Sequence, residues 1–144
     1  MKICIIGAFG FDMPEKTTGG QPVKTRQLYY TLDEYYREEN ISYVETYGWR
    51  SHPFKMISSV FREAKKCEAL IMLPAHHGVQ VFSRLLTYCK KKYKTKIFYD
   101  VIGGWLPEKT EKDDALSKKL MKFDGIWVET SSMMNSLVRQ GFNN

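Results

Sequence analysis

The 144-residue sequence predicts a single doubly wound α/β domain built around a mostly parallel sheet. Three observations favour this fold class. Short apolar runs without polar alternation, such as residues 2–7 and 69–73, are typical of strands that are covered on both faces. A segment with helical periodicity follows each predicted strand, which is the pattern of a parallel sheet with right-handed crossovers. The length and an apolar share of 43% suit one compact core with helices on both faces of the sheet.

The strands are predicted in order along the chain, at residues 2–7, 41–47, 69–73, 96–100 and 125–128. The first helix is expected from about Pro22, because proline suits the first turn of a helix. Spacing of apolar residues predicts that this helix buries one face, formed by Leu28, Leu32, Tyr35 and Tyr36.

Four further helices are predicted from apolar stripes at helical spacing. They are a helix around Ile57 and Ala64, the clearly amphipathic residues 79–93, a short helix around Leu116, and a last helix at residues 131–140. Gly141 is positioned to cap the last of these. Residues 101–107 are predicted to be a loop, since they hold two adjacent glycines and a proline.

Composition indicates the cellular location of the protein, the state of its cysteines and the partners that its charge could attract. The first apolar run is too short for a secretory signal or a membrane span, so we expect a cytoplasmic protein. Cys4, Cys67 and Cys89 are widely spaced within apolar patterns, which predicts reduced thiols in the core. The net charge of +6 could attract nucleic acid, anionic lipid or phosphorylated substrates. Nucleic acid is not an expected partner, because the cations are scattered and no recognition motif is present.

The glycine-bearing start of the first helix is the candidate anion site. Gly19 and Gly20 precede Pro22, and glycine lets a ligand approach the backbone closely. The unpaired N–H groups and the dipole at a helix start favour a phosphate, and Lys24 and Arg26 add positive charge. The alternative is that the two glycines only turn the chain.

Neither familiar nucleotide motif is present in this region. A P-loop needs glycine directly before Lys-Ser/Thr, and Val23 stands there before Lys24 and Thr25. A dinucleotide fingerprint needs three spaced glycines straight after the first strand, and only Gly7 and Gly10 occur.

Unusual side chains follow the other strands as well, and the carboxyl ends of parallel strands share one edge of the sheet. They lie at residues 49–52 after the second strand, at His76 and His77 after the third, and at Asp100 and residues 103–105 after the fourth. We therefore expect these loops to converge on one side of a cleft.

Each of these side chains has a functional and a structural interpretation. The histidines could bind a sugar hydroxyl or move a proton, or could cap the next helix. Asp100 could be a base or a hydroxyl acceptor, or only a residue of the turn that ends the strand. Trp105 could be a stacking platform for a sugar or an apolar tail, or could cover the core. A metal site is not expected, because adjacent histidines point apart and no carboxylate or cysteine cluster supports them.

The second loop and helix mix aromatic residues with cations. Residues 49–57 together with Arg62, Lys65 and Lys66 fit a peripheral membrane patch. They also fit an amphipathic helix with a basic face in water, and sequence alone favours that second interpretation.

Taken together, the loops resemble the N-terminal domain of the glycosyltransferase family 4 enzymes, which have the two-domain GT-B architecture. The residues that carry the resemblance span nearly the whole chain and are residues 2–7, 19–28, 99–107 and 124–134, with Leu137, Gly141 and Phe142.

The resemblance implies a Rossmann-like domain, residues 1–144, that forms the acceptor half of a retaining, metal-independent enzyme. Such an enzyme moves a sugar from a nucleotide diphosphate sugar to an acceptor hydroxyl, here in cell-surface polysaccharide synthesis. The implied acceptor is a sugar or a lipid-linked molecule, and no cofactor beyond the donor is expected.

The residue roles that follow from the resemblance are expectations. Gly19 and Gly20 would approach the donor phosphates. His76 and His77 compete for the one histidine role of the family, and His77 is the candidate catalytic residue together with Asp100. The acceptor would lie against the following residues: Lys24, His76, Gly103, Gly104 and Trp105.

The family's donor-binding domain, with its paired glutamates, would follow this chain. Its absence from the sequence suggests an isolated half that is inactive on its own, because positioned charge on the leaving group supplies much of catalysis. The alternative function is a non-catalytic Rossmann-like or flavodoxin-like module that binds an anion or a partner protein. Peripheral contact with the inner face of a membrane is a further expectation.

Overall fold

The computed structural model describes residues 1–36 and 40–143, apart from the side chain of Pro14. Within these residues the fold is a Rossmann-like α/β domain with a five-stranded parallel sheet, which confirms the predicted fold class. The strands are β1 (Ile3–Gly7), β2 (Ile41–Glu45), β3 (Ala69–Met72), β4 (Lys96–Asp100) and β5 (Gly125–Trp127). Their order across the sheet is β2-β1-β3-β4-β5. All five lie within the segments predicted from sequence.

The helices follow the strands in alternation. They are α1 (Gly20–Tyr36), α2 (Pro53–Ala64), α3 (Val79–Tyr93), α4 (Leu106–Lys112), α5 (Asp114–Leu120) and α6 (Ser131–Arg139). Gly141, just beyond α6, has φ of +94°, so its predicted role as a helix cap is confirmed. Proline lies in the first turn of α1, α2 and α4, where its missing N–H is no loss.

Two cores cover the two faces of the sheet. On one face α1 packs over β1, β2 and β3 through half-buried Leu28, Tyr29 and Leu32. On the other face the remaining helices share a larger core, in which Phe82, Leu86 and Leu116 are fully buried. The three cysteines are buried free thiols, as predicted. Burial raises the pKa of the Cys89 thiol to about 11, so it stays protonated at neutral pH.

The predicted buried face of α1 is wrong at its end. Tyr35 is 82% exposed and Tyr36 is exposed as well. The reason is length: α1 has 17 residues and spans about 25 Å, whereas a five-residue strand spans about 17 Å. The last turn of α1 therefore has no strand residues to pack against.

The predicted loop at residues 101–107 is also wrong at its end, because α4 begins at Leu106. Only Leu106 and Thr110 are buried in α4, so the segment has no apolar stripe that would show in the sequence. Apart from Pro107 its other residues are charged, and Lys112 Nζ pairs with Glu108 Oε1 at 2.6 Å, one helical turn apart.

Candidate functional site

The candidate site lies at the carboxyl ends of β1 and β3. The chain goes from β1 to β2 on one side and later adds β3 on the other side of β1, so the strand order reverses there. Parallel α/β sheets hold ligands in the crevice that opens at such a reversal. The start of α1 lies against it, because Gln21 Nε2 donates a hydrogen bond to Leu73 O, directly after β3, at 2.8 Å.

Gly19 and Gly20 form the start of α1 at this crevice. Neither glycine has a positive φ. Among the described atoms, a Cβ added at Gly20 would meet nothing within 4 Å, and one at Gly19 would approach only Pro22 Cδ, at 3.9 Å. The fold itself therefore does not require glycine at either position. The first helical hydrogen bond runs from Val23 N to Gly19 O. The N–H groups of Gly20 and Gln21 precede it and therefore have no acceptor within the helix.

The loop between β1 and α1 is held by a carboxylate that the sequence analysis did not single out. Glu45, at the end of β2, accepts hydrogen bonds from Phe9 N at 2.9 Å, Gly10 N at 2.8 Å and Tyr47 N at 2.7 Å. Charged acceptors make the stronger hydrogen bonds. The carboxylate thereby fixes the first residues of the loop against the neighbouring strand.

Arg26 closes the same loop from the helix side. Its guanidinium donates to Phe9 O, to Thr17 Oγ1 at 3.2 Å and to Thr17 O at 3.1 Å. Gly10 has φ of +62°, and a Cβ there would lie 2.4 Å from Thr17 Oγ1. The cation that we expected beside a phosphate is therefore engaged in shaping the loop that leads to Gly19.

We expect Glu45→Ala to lower the free energy of unfolding by about 1.5 kcal/mol, because it removes the acceptor of the buried Phe9 and Gly10 N–H groups. Urea denaturation measures this change. Glu111→Ala, at an exposed position of α4, is the control and should change it by less than about 0.5 kcal/mol. Equal effects of the two substitutions would contradict the role given to Glu45.

Lys24 contacts three hydrogen-bond acceptors at the carboxyl edge of the sheet. Its Nζ lies 2.9 Å from Asp100 Oδ1, 3.2 Å from Glu129 Oε1 and 3.1 Å from Val101 O. An ammonium group has three N–H donors, so these contacts match its full capacity. Asp100 ends β4 and Glu129 follows β5, so this contact group joins α1 to two strands.

Partial burial acts on the Lys24 ammonium and by itself would lower its pKa. The hydrogen bonds and charges of Asp100 and Glu129 outweigh that effect, so the pKa of Lys24 is raised above the ordinary value. Lys24 is therefore a permanent cation at neutral pH. The second oxygen of each carboxylate can accept a hydrogen bond from a hydroxyl group of a ligand.

A second contact group contains the histidines and Trp105. The ring of His76 lies 5.1 Å from that of Trp105 and 5.3 Å from that of His77. Both histidines are exposed in the loop after β3. Trp105 is half-buried against the larger core, and its Nε1 donates to Ile102 O at 2.8 Å. One part of the Trp105 ring therefore covers the core, as the structural interpretation predicts. The half-buried ring also contacts exposed His76.

The two glycines before Trp105 differ in their role. Gly103 has φ of +82°, a conformation that favours glycine, and its added Cβ would lie 3.4 Å from Trp105 Cδ1. At Gly104 an added Cβ would meet none of the described atoms within 4 Å. Gly103 therefore serves the turn, whereas Gly104 leaves open space beside the tryptophan.

Five of the expected site residues thus fall into two contact groups at one edge of the sheet. Lys24 and Asp100 meet directly, joined by Glu129, which the sequence analysis included in the family resemblance but did not select as a site residue. His76, His77 and Trp105 meet in the second group. Gln21, through Leu73, links the start of α1 to the strand end that leads to the histidines.

Comparison with known protein families, with curated proteins and with solved structures finds no match. Among the helices of residues 1–36 and 40–143, none combines the length and apolar character needed to cross a bilayer. The same residues contain no group of three or more histidine, cysteine, aspartate or glutamate side chains arranged to hold a metal ion.

Proposed function

We propose that this chain is the acceptor-side half of a retaining glycosyltransferase that moves a sugar from a nucleotide diphosphate sugar to an acceptor hydroxyl. The observation that carries the proposal is the crevice at β1 and β3. There an unobstructed helix start with two exposed glycines lies beside a rim of carboxylates ordered by a lysine. α1 thereby supplies the anion site at its start and, through Lys24, orients the carboxylates that would bind hydroxyl groups.

In the proposed complex the donor diphosphate lies at the N–H groups of Gly20 and Gln21, where the helix dipole is positive. The free oxygens of Asp100 and Glu129 accept hydrogen bonds from acceptor hydroxyls. Lys24 is a positioning residue, since its Nζ orients both carboxylates.

The histidine group completes the proposed site. His77, and Asp100 from the other group, are the proposed carriers of the acceptor proton, because an imidazole nitrogen and a carboxylate oxygen can each accept a proton from a hydroxyl group. His76 and Trp105, with the open space at Gly104, form the wall against which an acceptor ring would lie. No metal and no cofactor besides the nucleotide sugar enter this scheme.

The proposed setting is the cytoplasmic face of a membrane, where a lipid-linked acceptor for cell-surface polysaccharide would be presented. Nucleic acid is not among the proposed partners.

A second candidate is a non-catalytic module that binds an anion or a partner protein. The contacts of Lys24 favour this second candidate. All three donors of its ammonium group have acceptors within the protein, so the group could serve only to hold α1 against β4 and β5. Sugar-nucleotide binding separates the two candidates.

The test is calorimetric titration of the native gene product that contains these residues with uridine and guanosine diphosphate sugars. We expect Gly20→Leu to weaken donor binding at least about tenfold, because its side chain would occupy the space needed by the diphosphate. The stability should stay within about 0.5 kcal/mol, since Gly20 is exposed and a Cβ added there meets no atom of the described residues within 4 Å.

Ala115→Leu, at an exposed position of α5, is the matched control and should leave binding unchanged. Absence of binding to every nucleotide sugar would remove the transferase from consideration. Unchanged binding by Gly20→Leu would show that the diphosphate lies elsewhere.

A further inference from the structure

The cations are spread along the chain, but the net positive charge arises in one segment. Residues 53–96 contain ten of the 22 lysine and arginine residues but only two of the 16 acidic residues. The rest of the chain has a small excess of acidic residues. This segment forms α2 and α3, which pack side by side on the same face of the sheet. Most of these cations therefore lie on the side of the sheet that α2 and α3 cover.

Aromatic side chains lie among these cations and are open to solvent. Phe54, in the first turn of α2, is 85% exposed, and Tyr88 of α3 is 50% exposed. The rings of Phe61 and Tyr88 lie 5.7 Å apart and join the two helices. A single exposed apolar side chain is common on protein surfaces, so Phe54 is informative only as part of a larger apolar patch rimmed by charge.

A groove of about 450 Å³ runs along α2 between these features. Phe54, Ile57 and Phe61 form its apolar lining, and its rim carries the cations Arg62, Lys65 and Lys66.

The cations of α3 extend the same surface. Lys92 Nζ lies 5.5 Å from the ring centroids of both Tyr88 and Tyr93, and Lys65 Nζ of α2 lies 6.0 Å from that of Tyr93. Within the described residues of α2 and α3 the one acidic side chain is Glu63, which is half-buried and accepts from Ser42 and Arg62. We call this surface the α2–α3 basic face. It comprises Phe54, Lys55, Phe61, Arg62, Lys65, Lys66, Tyr88 and Lys92.

We propose that the α2–α3 basic face docks the protein onto a membrane surface rich in anionic lipid. Lysine and arginine side chains are attracted to the negative potential of such a leaflet. Aromatic rings insert at the level of the headgroups, and Phe54, which is 85% exposed, is accessible for such insertion. Sequence alone favoured an ordinary amphipathic helix here, because it could not show that α3 adds its own cations and Tyr88 to the surface of α2.

A nucleic acid would meet the same cations, but the apolar groove favours lipid, since phosphate backbones offer nothing to fill it. What this inference adds to the proposed membrane setting is the surface that meets the lipid, and it does not depend on glycosyl transfer. If the protein does not bind a nucleotide sugar, the membrane proposal still stands. If the protein does not bind anionic vesicles, the proposed donor site still stands.

The experiment is sedimentation of the protein with vesicles made of equal parts phosphatidylcholine and phosphatidylglycerol. We expect binding that weakens as salt is added, and little binding to vesicles of phosphatidylcholine alone. The combined substitutions Lys65→Gln, Lys66→Gln and Lys92→Gln should lower the apparent affinity about a hundredfold, at roughly fivefold per cation. Phe54→Ser should lower it about tenfold.

The matched control removes three cations elsewhere, by Lys16→Gln, Lys112→Gln and Lys118→Gln, and should change the affinity much less. All seven substituted side chains are exposed, so thermal unfolding should confirm that every variant is folded. Equal losses from the two sets of lysines would overturn the proposal, as would equal binding to both kinds of vesicle. Tighter binding to single-stranded RNA than to the anionic vesicles, unaffected by Phe54→Ser, would assign the face to nucleic acid instead.

Discussion

Lys24→Met should lower the free energy of unfolding by about 2–3 kcal/mol. The substitution keeps an unbranched side chain of similar length but removes the cation that Asp100 and Glu129 share. Asp100 is the critical neighbour, because its side chain is only 12% exposed and would be left as an uncompensated charge beside another carboxylate. We place the loss below the usual range for fully buried pairs, since Lys24 itself is 31% exposed and water screens part of the interaction.

Two comparisons make this prediction specific. Adding Asp100→Asn and Glu129→Gln to Lys24→Met should restore most of the lost stability, because the group then carries no unpaired charge. Lys112→Met breaks a pair whose side chains are both more than two-thirds exposed, and it should change stability by less than about 0.5 kcal/mol. A Lys24→Met variant as stable as Lys112→Met would show that the Lys24 group does not stabilise the fold.

The pH dependence of stability gives an independent measurement of the same group. The pKa of Lys24 is raised in the folded protein by Asp100 and Glu129, which outweigh partial burial. Its contribution to stability is therefore complete below the ordinary lysine pKa and is lost as the pH rises through the raised pKa. Lys24→Met should remove this alkaline part of the pH profile of the unfolding free energy, measured by urea denaturation.

The fold could be predicted from sequence because its signals are local. Each strand is a short apolar run, and most of the helices carry a stripe at helical spacing, as α3 does with Phe82, Leu86 and Cys89. Where the stripe is missing, as in α4, the prediction is wrong. Tyr35 shows the opposite case, since the pattern continues past the point where the strands end.

The site was only partly predictable, because its contacts join residues far apart in the chain. Asp100 could be singled out as a carboxylate at a strand end, and the glycine pair as a helix start. No sequence spacing indicates that Glu45 holds a loop beginning 36 residues before it, or that Lys24 meets Glu129 across 105 residues. Such pairs depend on strand order and on which helix face meets the sheet, and both emerge only from packing.

The need for glycine at Gly7 is another feature that depends on contacts between residues far apart in the chain. It also determines where α1 lies relative to the proposed site. A Cβ added at Gly7, the last residue of β1, would lie 2.7 Å from Thr25 Cγ2, 3.2 Å from Thr25 Oγ1 and 3.5 Å from Leu73 Cβ. Thr25 is fully buried, and its Oγ1 donates to Gln21 O at 2.8 Å, so it has little room to move. The missing side chain of Gly7 therefore lets the first turns of α1 approach the sheet, with Gly20 and Lys24 at the crevice.

We expect Gly7→Ala to lower the free energy of unfolding by about 2 kcal/mol, and Gly7→Val by about 3 kcal/mol, because the added atoms overfill this contact. Thr25→Ser removes the closest atom, Cγ2, so the double variant Gly7→Ala and Thr25→Ser should be more stable than the sum of the single losses by at least about 1 kcal/mol. Gly20→Ala, which adds its Cβ in open space, is the control and should stay within about 0.5 kcal/mol of the wild type. Additive losses in the double variant would mean that α1 does not rest on β1 through this pair, and the position of the helix start at the crevice would then need another cause.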